Sequence, residues 1–97
     1  MPQLLFTKTA REDLDLLQKN PAMKKVLRAV LKTLALMETN LRHPSLNAHE
    51  FKSLKGPMGE KIFEAYAQQN TPNAYRIFWY YGPGKNVISI TGIVPHP

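Results

Sequence analysis

The spacing of apolar residues changes period once along this chain, and that change limits the folds open to it. Val26, Val30, Leu34, Met37 and Leu41 recur at steps of four, four, three and four, and Leu27 and Leu31 widen the stripe. Such a stripe predicts an amphipathic helix with one buried face. Beyond Lys61 the period falls to two. Phe63, Ala65 and Ala67 alternate with Ile62, Glu64 and Tyr66, and the stretch from Ala74 to Tyr81 is dense in the aromatic residues that strands favour. Helices followed by a run of strands define an α+β domain.

Local signals place the elements. Residues 3–8 read as a short first strand. Thr9, with Glu12 three residues on, makes a capping box for a helix from Ala10 to about Lys19. Asn20-Pro21 ends that helix, because a residue before proline avoids the α region. Pro21 suits the first turn of the second helix, which His43-Pro44 stops. A loop of roughly sixteen residues follows, carrying Lys52, Lys55 and Gly56-Pro57-Met58-Gly59, and loops of that length inside a small domain are often functional. Strands at Lys61 to about Gln68, Ala74 to Tyr81 and Val87 to Val94 complete the chain, the last two joined by a tight turn at Gly82-Pro83-Gly84-Lys85-Asn86. Short links favour an antiparallel meander. The expected architecture is a single domain over residues 1–97 in the order β-α-α-β-β-β. Its two-helix hairpin packs on one face of a small curved, mainly antiparallel sheet.

Composition excludes several function classes. There is no cysteine, hence no disulfide and no thiolate metal site. No His, Asp or Glu spacing suggests a metal, and no glycine-rich phosphate loop calls for a cofactor. The N-terminal Met1-Pro2-Gln3-Leu4-Leu5-Phe6 lacks the features of a signal peptide. No apolar run approaches the ~20 residues of a membrane span, so a soluble, cytoplasmic protein is expected. The net charge of +6 points to a polyanion or an acidic protein partner, or to nothing more than a well-solvated surface. Its distribution matters more than its size: eleven of the thirteen Lys/Arg lie in residues 1–61. Lys25, Arg28 and Lys32 share a helix face, and Glu38 is the only acid from Pro21 to Arg42. That row is either an ordinary solvent face or a nucleic-acid contact.

Few residues are suited to chemistry. Alternation puts Arg76, Phe78 and Tyr80 on one face of their strand and Tyr75, Ile77, Trp79 and Tyr81 on the other, which should pack on the helices. Arg76 then stands mid-sheet on the open face, where a guanidinium needs an anion. Two readings follow: a structural pair with Glu64 on the adjacent strand, or a contact to a phosphate. His96, between Pro95 and Pro97, can give and take protons near neutrality. His43 reads as a helix-ending surface residue and His49 as a loop residue or, less readily, an RNA contact. The run Phe78-Trp79-Tyr80-Tyr81 packs as core and sheet surface, or offers faces for base stacking.

These segments together resemble the RelE/ParE toxin superfamily, over almost the whole chain. The resemblance is carried by His43-Pro44-Ser45-Leu46, by His49-Glu50-Phe51-Lys52-Ser53-Leu54-Lys55-Gly56, by Ile62-Phe63-Glu64-Ala65-Tyr66, and by Ala74-Tyr75-Arg76-Ile77-Phe78. The closing Ile90-Thr91-Gly92-Ile93-Val94 and His96 are similar to the last strand and terminal histidine of YoeB- and HigB-like members. The resemblance implies the toxin of a type II toxin–antitoxin pair: a ribosome-dependent endoribonuclease that cuts mRNA without metal, by attack of the 2′-hydroxyl on the adjacent phosphate. It implies that Arg76 stabilises the transition-state charge, that Lys52 and Lys55 hold the phosphate, and that His96 acts as general acid or base. Lys24, Lys25, Arg28 and Lys32 would grip ribosomal RNA, with Lys61 and Tyr66 as further nucleic-acid contacts. Many ribonuclease members have a basic residue where this chain has Tyr66. The implied partners are mRNA on the ribosome and an acidic or amphipathic antitoxin. The alternative within the same resemblance is a non-catalytic RelE-fold binding protein, either a ParE-like gyrase inhibitor or an orphan module that binds protein or nucleic acid.

Overall fold

A computed structural model describes residues 1–96; Pro97, counted in the expected single domain, lies outside the described residues. The chain runs β1 (Gln3–Phe6), α1 (Lys8–Lys19), a 3₁₀ turn (Pro21–Met23), α2 (Lys24–Thr39), a second 3₁₀ turn (Pro44–Leu46), then β2 (His49–Lys55), β3 (Lys61–Tyr66), β4 (Tyr75–Tyr81) and β5 (Val87–Pro95). The five strands form one sheet in the order β1-β5-β4-β3-β2. All neighbours are antiparallel except β1 and β5, which are parallel from Gln3↔Val87 to Phe6↔Ile90. Among the described residues, no helix is long and apolar enough to cross a membrane.

Two local expectations are corrected. The first helix is capped by Thr7 rather than Thr9: the Thr7 hydroxyl accepts the Ala10 N–H at 3.2 Å, and the helix begins two residues before Ala10. Thr7 wins because the extended chain of β1 ends there, leaving it in the β conformation that a cap requires. The segment carrying Lys52 and Lys55 is a strand rather than a loop, so the meander gains an edge strand. β2 pairs with β3 at His49↔Glu64, Glu50↔Phe63 and Lys55↔Lys61, with a shift of register in between. Lysines along an edge strand discourage pairing with other chains, and their polarity hid the strand.

The sheet has two unlike faces. Both helices cover one of them, where Ala65, Ile77, Trp79, Ile88, Ile90 and Ile93 pack with Ala10, Leu17, Val30, Leu34 and Met37. The alternation expected for β4 is observed, with Ile77 and Trp79 in this core. On the opposite face Ile62, Phe78 and Tyr80 form a smaller cluster with Phe51 and Val94. The aromatic run is thus mostly internal. Phe78, Trp79 and Tyr80 are buried and only Tyr81 is exposed, which leaves little ring surface for stacking bases.

A bulge joins sheet to helix. β4 and β5 slip register between Phe78 and Trp79, and the Ile93 N–H close to the slip donates to the Asp13 carboxylate of α1 at 3.0 Å. An Asp13→Ala substitution strands that donor beside buried Ile93. It should cost about 1–2 kcal/mol, read as a lower urea midpoint at unchanged m-value.

Candidate active site

The open face of the sheet carries a buried carboxylate. Glu64, in the middle of β3, is 1% exposed. A charge so placed is costly unless surrounded by donors, and three cationic or potentially cationic side chains converge on it. His49 on β2 places Nε2 at 2.8 Å from Oε1. His96, just past β5, places Nδ1 at 2.9 Å from Oε2. Arg76 on β4 brings Nε to 3.9 Å from Oε2, an electrostatic contact without a hydrogen bond. The sheet order explains the convergence. β2, β3, β4 and β5 are successive neighbours, so each delivers one side chain to the same spot.

Arg76 is held from several sides. Tyr66 lies directly across from it in the β3–β4 register, and the guanidinium carbon sits 3.7 Å from the centroid of the Tyr66 ring. One Nη1–H group donates to the Gln68 carbonyl at 2.8 Å. The residue is 8% exposed. Of the two readings of Arg76, the one seen is the neighbour Glu64, met diagonally at 3.9 Å rather than as a direct cross-strand partner. Tyr66 also meets the edge of the His49 ring, at 5.8 Å between centroids.

The two imidazoles are not equivalent. His49 has acceptors at both ring nitrogens, because Nδ1 lies 2.6 Å from the Asn47 carbonyl. His96 uses only Nδ1, and its backbone N–H is anchored to the Ala74 carbonyl at 2.8 Å. Donation from Nδ1 to the carboxylate fixes the tautomer and leaves Nε2 without an internal partner among the described residues. The side chain is 46% exposed, so that nitrogen can meet solvent or substrate. The site thus combines a half-exposed imidazole, an inner carboxylate that orients it, and a buried guanidinium.

The structure brings Arg76, His96 and Tyr66 together and adds Glu64 and His49. The reading of the sequence weighed Glu64 only as a structural partner and placed His49 in a loop. The available signal was the His49↔Glu64 register, which was hidden while β2 went unrecognised. Lys52 and Lys55 are exposed on β2, and no contact joins either to the cluster among the described residues. Lys55 pairs with Lys61, three residues from Glu64 along β3 and so about 10 Å away. Lys24, Lys25, Arg28 and Lys32 are all exposed on α2. Lys32 lines a cavity of about 260 Å³ between α2 and the end of β3, on the helix-covered side of the sheet. His43 stands apart, its Nδ1 accepting the Ser45 N–H at 3.2 Å to cap the second 3₁₀ turn.

Solved structures share this architecture. A YoeB/ParE toxin from Agrobacterium tumefaciens superposes with a TM-score of 0.69 at 12% identity, covering 98% of this chain and 99% of that one. A YoeB dimer from Staphylococcus aureus matches with a TM-score of 0.64 at 17% identity, over 99% and 98%. The RelE-RelB complex of Pyrococcus horikoshii OT3 matches with a TM-score of 0.63 at 18% identity, over 97% and 93%. No protein-family model matches the sequence, and no curated protein matches it. The chain has the fold of the small bacterial and archaeal toxins. Within that class it is the RelE-like fold, as the resemblance implied, a two-helix hairpin on one face of a mainly antiparallel sheet.

Proposed function

We propose that the protein is the toxin of a type II toxin–antitoxin pair and cleaves mRNA on the ribosome without metal. The observation that carries this reading is the buried Glu64 orienting His96 beside Arg76 on the open face of the sheet. In the proposed reaction the 2′-oxygen of the substrate attacks the adjacent phosphorus. The bond to the 5′-oxygen breaks, and a 2′,3′-cyclic phosphate and a free 5′-hydroxyl result. One proton leaves the 2′-hydroxyl and one is delivered to the 5′-oxygen. Nε2 of His96 is the exposed group suited to such a transfer, and Glu64 holds the ring that carries it. Arg76 contributes a fixed positive charge beneath the phosphate as its negative charge grows. Lys52 and Lys55 flank the site on β2 and supply further positive charge toward the RNA backbone, and Lys61 acts with them. Lys24, Lys25, Arg28 and Lys32 contact ribosomal RNA in a salt-dependent manner. An acidic or amphipathic antitoxin neutralises these surfaces. The other reading, a binding protein without catalysis, would leave the buried carboxylate and its two imidazoles as structure alone.

Primer extension on an mRNA in a reconstituted translation reaction separates the two. With ribosomes present the protein should cut at discrete sites, and His96→Ala should cut about 10²–10⁴-fold more slowly while remaining folded. An equal rate for His96→Ala would refute its catalytic role. No cutting by the unaltered protein on engaged ribosomes would favour the binding reading.

A further inference from the structure

One glutamine beside the cluster has no part in the chemistry just described. β3 and β4 stay in register as far as Tyr66↔Arg76, and there the chain of β3 bends away. In an unbroken antiparallel ladder Ala67 and Tyr75 would exchange two main-chain hydrogen bonds. Only one of them forms. The Ala67 N–H donates to the Tyr75 carbonyl at 3.1 Å, and the Gln68 N–H donates to the same oxygen at 3.2 Å. The return bond, from the Tyr75 N–H, goes to the side chain of Gln68, whose Oε1 accepts it at 3.1 Å. The main-chain carbonyl of Gln68 is turned out of the ladder and accepts from Nη1 of Arg76 at 2.8 Å. One half-buried residue thus closes the end of the pairing with its amide and holds the guanidinium with its backbone.

Resting on the nuclease reading above, we infer that Gln68 is a positioning residue for Arg76. Its side chain fixes the direction of its own carbonyl, and that carbonyl holds the guanidinium over the Tyr66 ring. The other holds on the group are weaker. The Tyr75 carbonyl lies 3.3 Å from Nη1 and already takes two main-chain donors. Nε lies 3.9 Å from the Glu64 carboxylate and makes no hydrogen bond. A charge that acts in the transition state must already stand in place, and a displacement of about 1 Å can cost roughly 100-fold in rate. Arg76 supplies the charge, and Gln68 aims it.

The test compares Gln68→Leu, which keeps the bulk and removes the acceptor, with Gln68→Glu, which keeps an acceptor oxygen. In the ribosomal reaction Gln68→Leu should lower kcat about 10–100-fold with KM unchanged, and Gln68→Glu should recover most of the rate. In an Arg76→Lys background the same leucine should slow cleavage less than about twofold, because no guanidinium is left to aim. A merely structural residue would slow both backgrounds alike. Equal losses in the two backgrounds, full activity in Gln68→Leu, or no recovery in Gln68→Glu overturns the assignment and leaves the nuclease reading standing. A second readout needs no cleavage. A held guanidinium gives resolved Nη–H signals in a heteronuclear NMR spectrum, and those of Arg76 should merge in Gln68→Leu. If the unaltered protein does not cut, the nuclease reading fails on its own account; unchanged Arg76 signals in Gln68→Leu would overturn the positioning separately.

Discussion

Glu64→Gln should abolish most cleavage while preserving the fold. The carboxylate accepts from both imidazoles, at 2.8 Å and 2.9 Å. An amide of the same shape keeps one accepting oxygen and turns an NH₂ group toward the other ring. Whichever way it flips, one histidine faces a donor with its own donor. If that ring is His96, its tautomer inverts and the exposed nitrogen changes character. If it is His49, β2 loses its hold on the site. Replacing the orienting carboxylate of a catalytic histidine by its amide lowers turnover by about 10⁴-fold in the serine-protease arrangement. The melting temperature should also fall, because the side-chain volume is kept but the buried Arg76 guanidinium loses its anion. The measurement is cleavage rate in the ribosomal reaction beside a melting curve. Full activity in Glu64→Gln would show that the carboxylate serves the fold alone.

Arg76→Ala should lose both activity and stability. The guanidinium is held between the Tyr66 ring and the Gln68 and Tyr75 carbonyls, and among the described residues it is the only permanently charged cation beside Glu64. Its removal leaves a buried carboxylate supported by two half-exposed imidazoles. Breaking a buried ion pair from one side costs roughly 3–5 kcal/mol. The longer 3.9 Å contact here argues for the lower end, about 3 kcal/mol. The loss of fixed positive charge beneath the phosphate adds about 10²–10³-fold in rate. Arg76→Lys should recover little of either, since an ammonium stacks poorly on a ring and lacks the planar fork that reaches the Gln68 carbonyl. Chemical denaturation of the three proteins, combined with cleavage rates, tests both halves. A fully stable, fully active Arg76→Lys would contradict the requirement for the planar group.

Much of the architecture was legible in the sequence because hydrophobic period is a local property. Val26, Leu27, Val30, Leu34 and Met37 face the core as their spacing required, whereas Leu31, counted with the stripe, is exposed, and Ile77 and Trp79 lie opposite Phe78 and Tyr80 as alternation on β4 required. Arg76 and Glu64 were assigned to the same face and are found there. What escaped was non-local. β2 has the lysines and short flanking turns of a loop, and only its register against β3 makes it a strand. His49 and Glu64 are fifteen residues apart and His96 a further thirty-two, so no motif window spans the cluster. The Thr7 cap was missed because its rank over Thr9 depends on where β1 releases the chain.

The parallel pairing of β1 with β5 has a consequence for synthesis. Gln3 finds its partner only when Val87 exists, and the interior strand β5 that completes the sheet also leads to His96. Contacts of such long sequence separation form late and slowly. A nascent chain that has not yet produced β5 has an unsealed core, an unpaired first strand and three of the four groups of its cluster. On the proposed function it is then inert and vulnerable together. A partner recognising the exposed β1 edge or the uncovered helices would on that reading meet the protein before it could act, so the order of chain growth itself would open an interval in which restraint precedes activity.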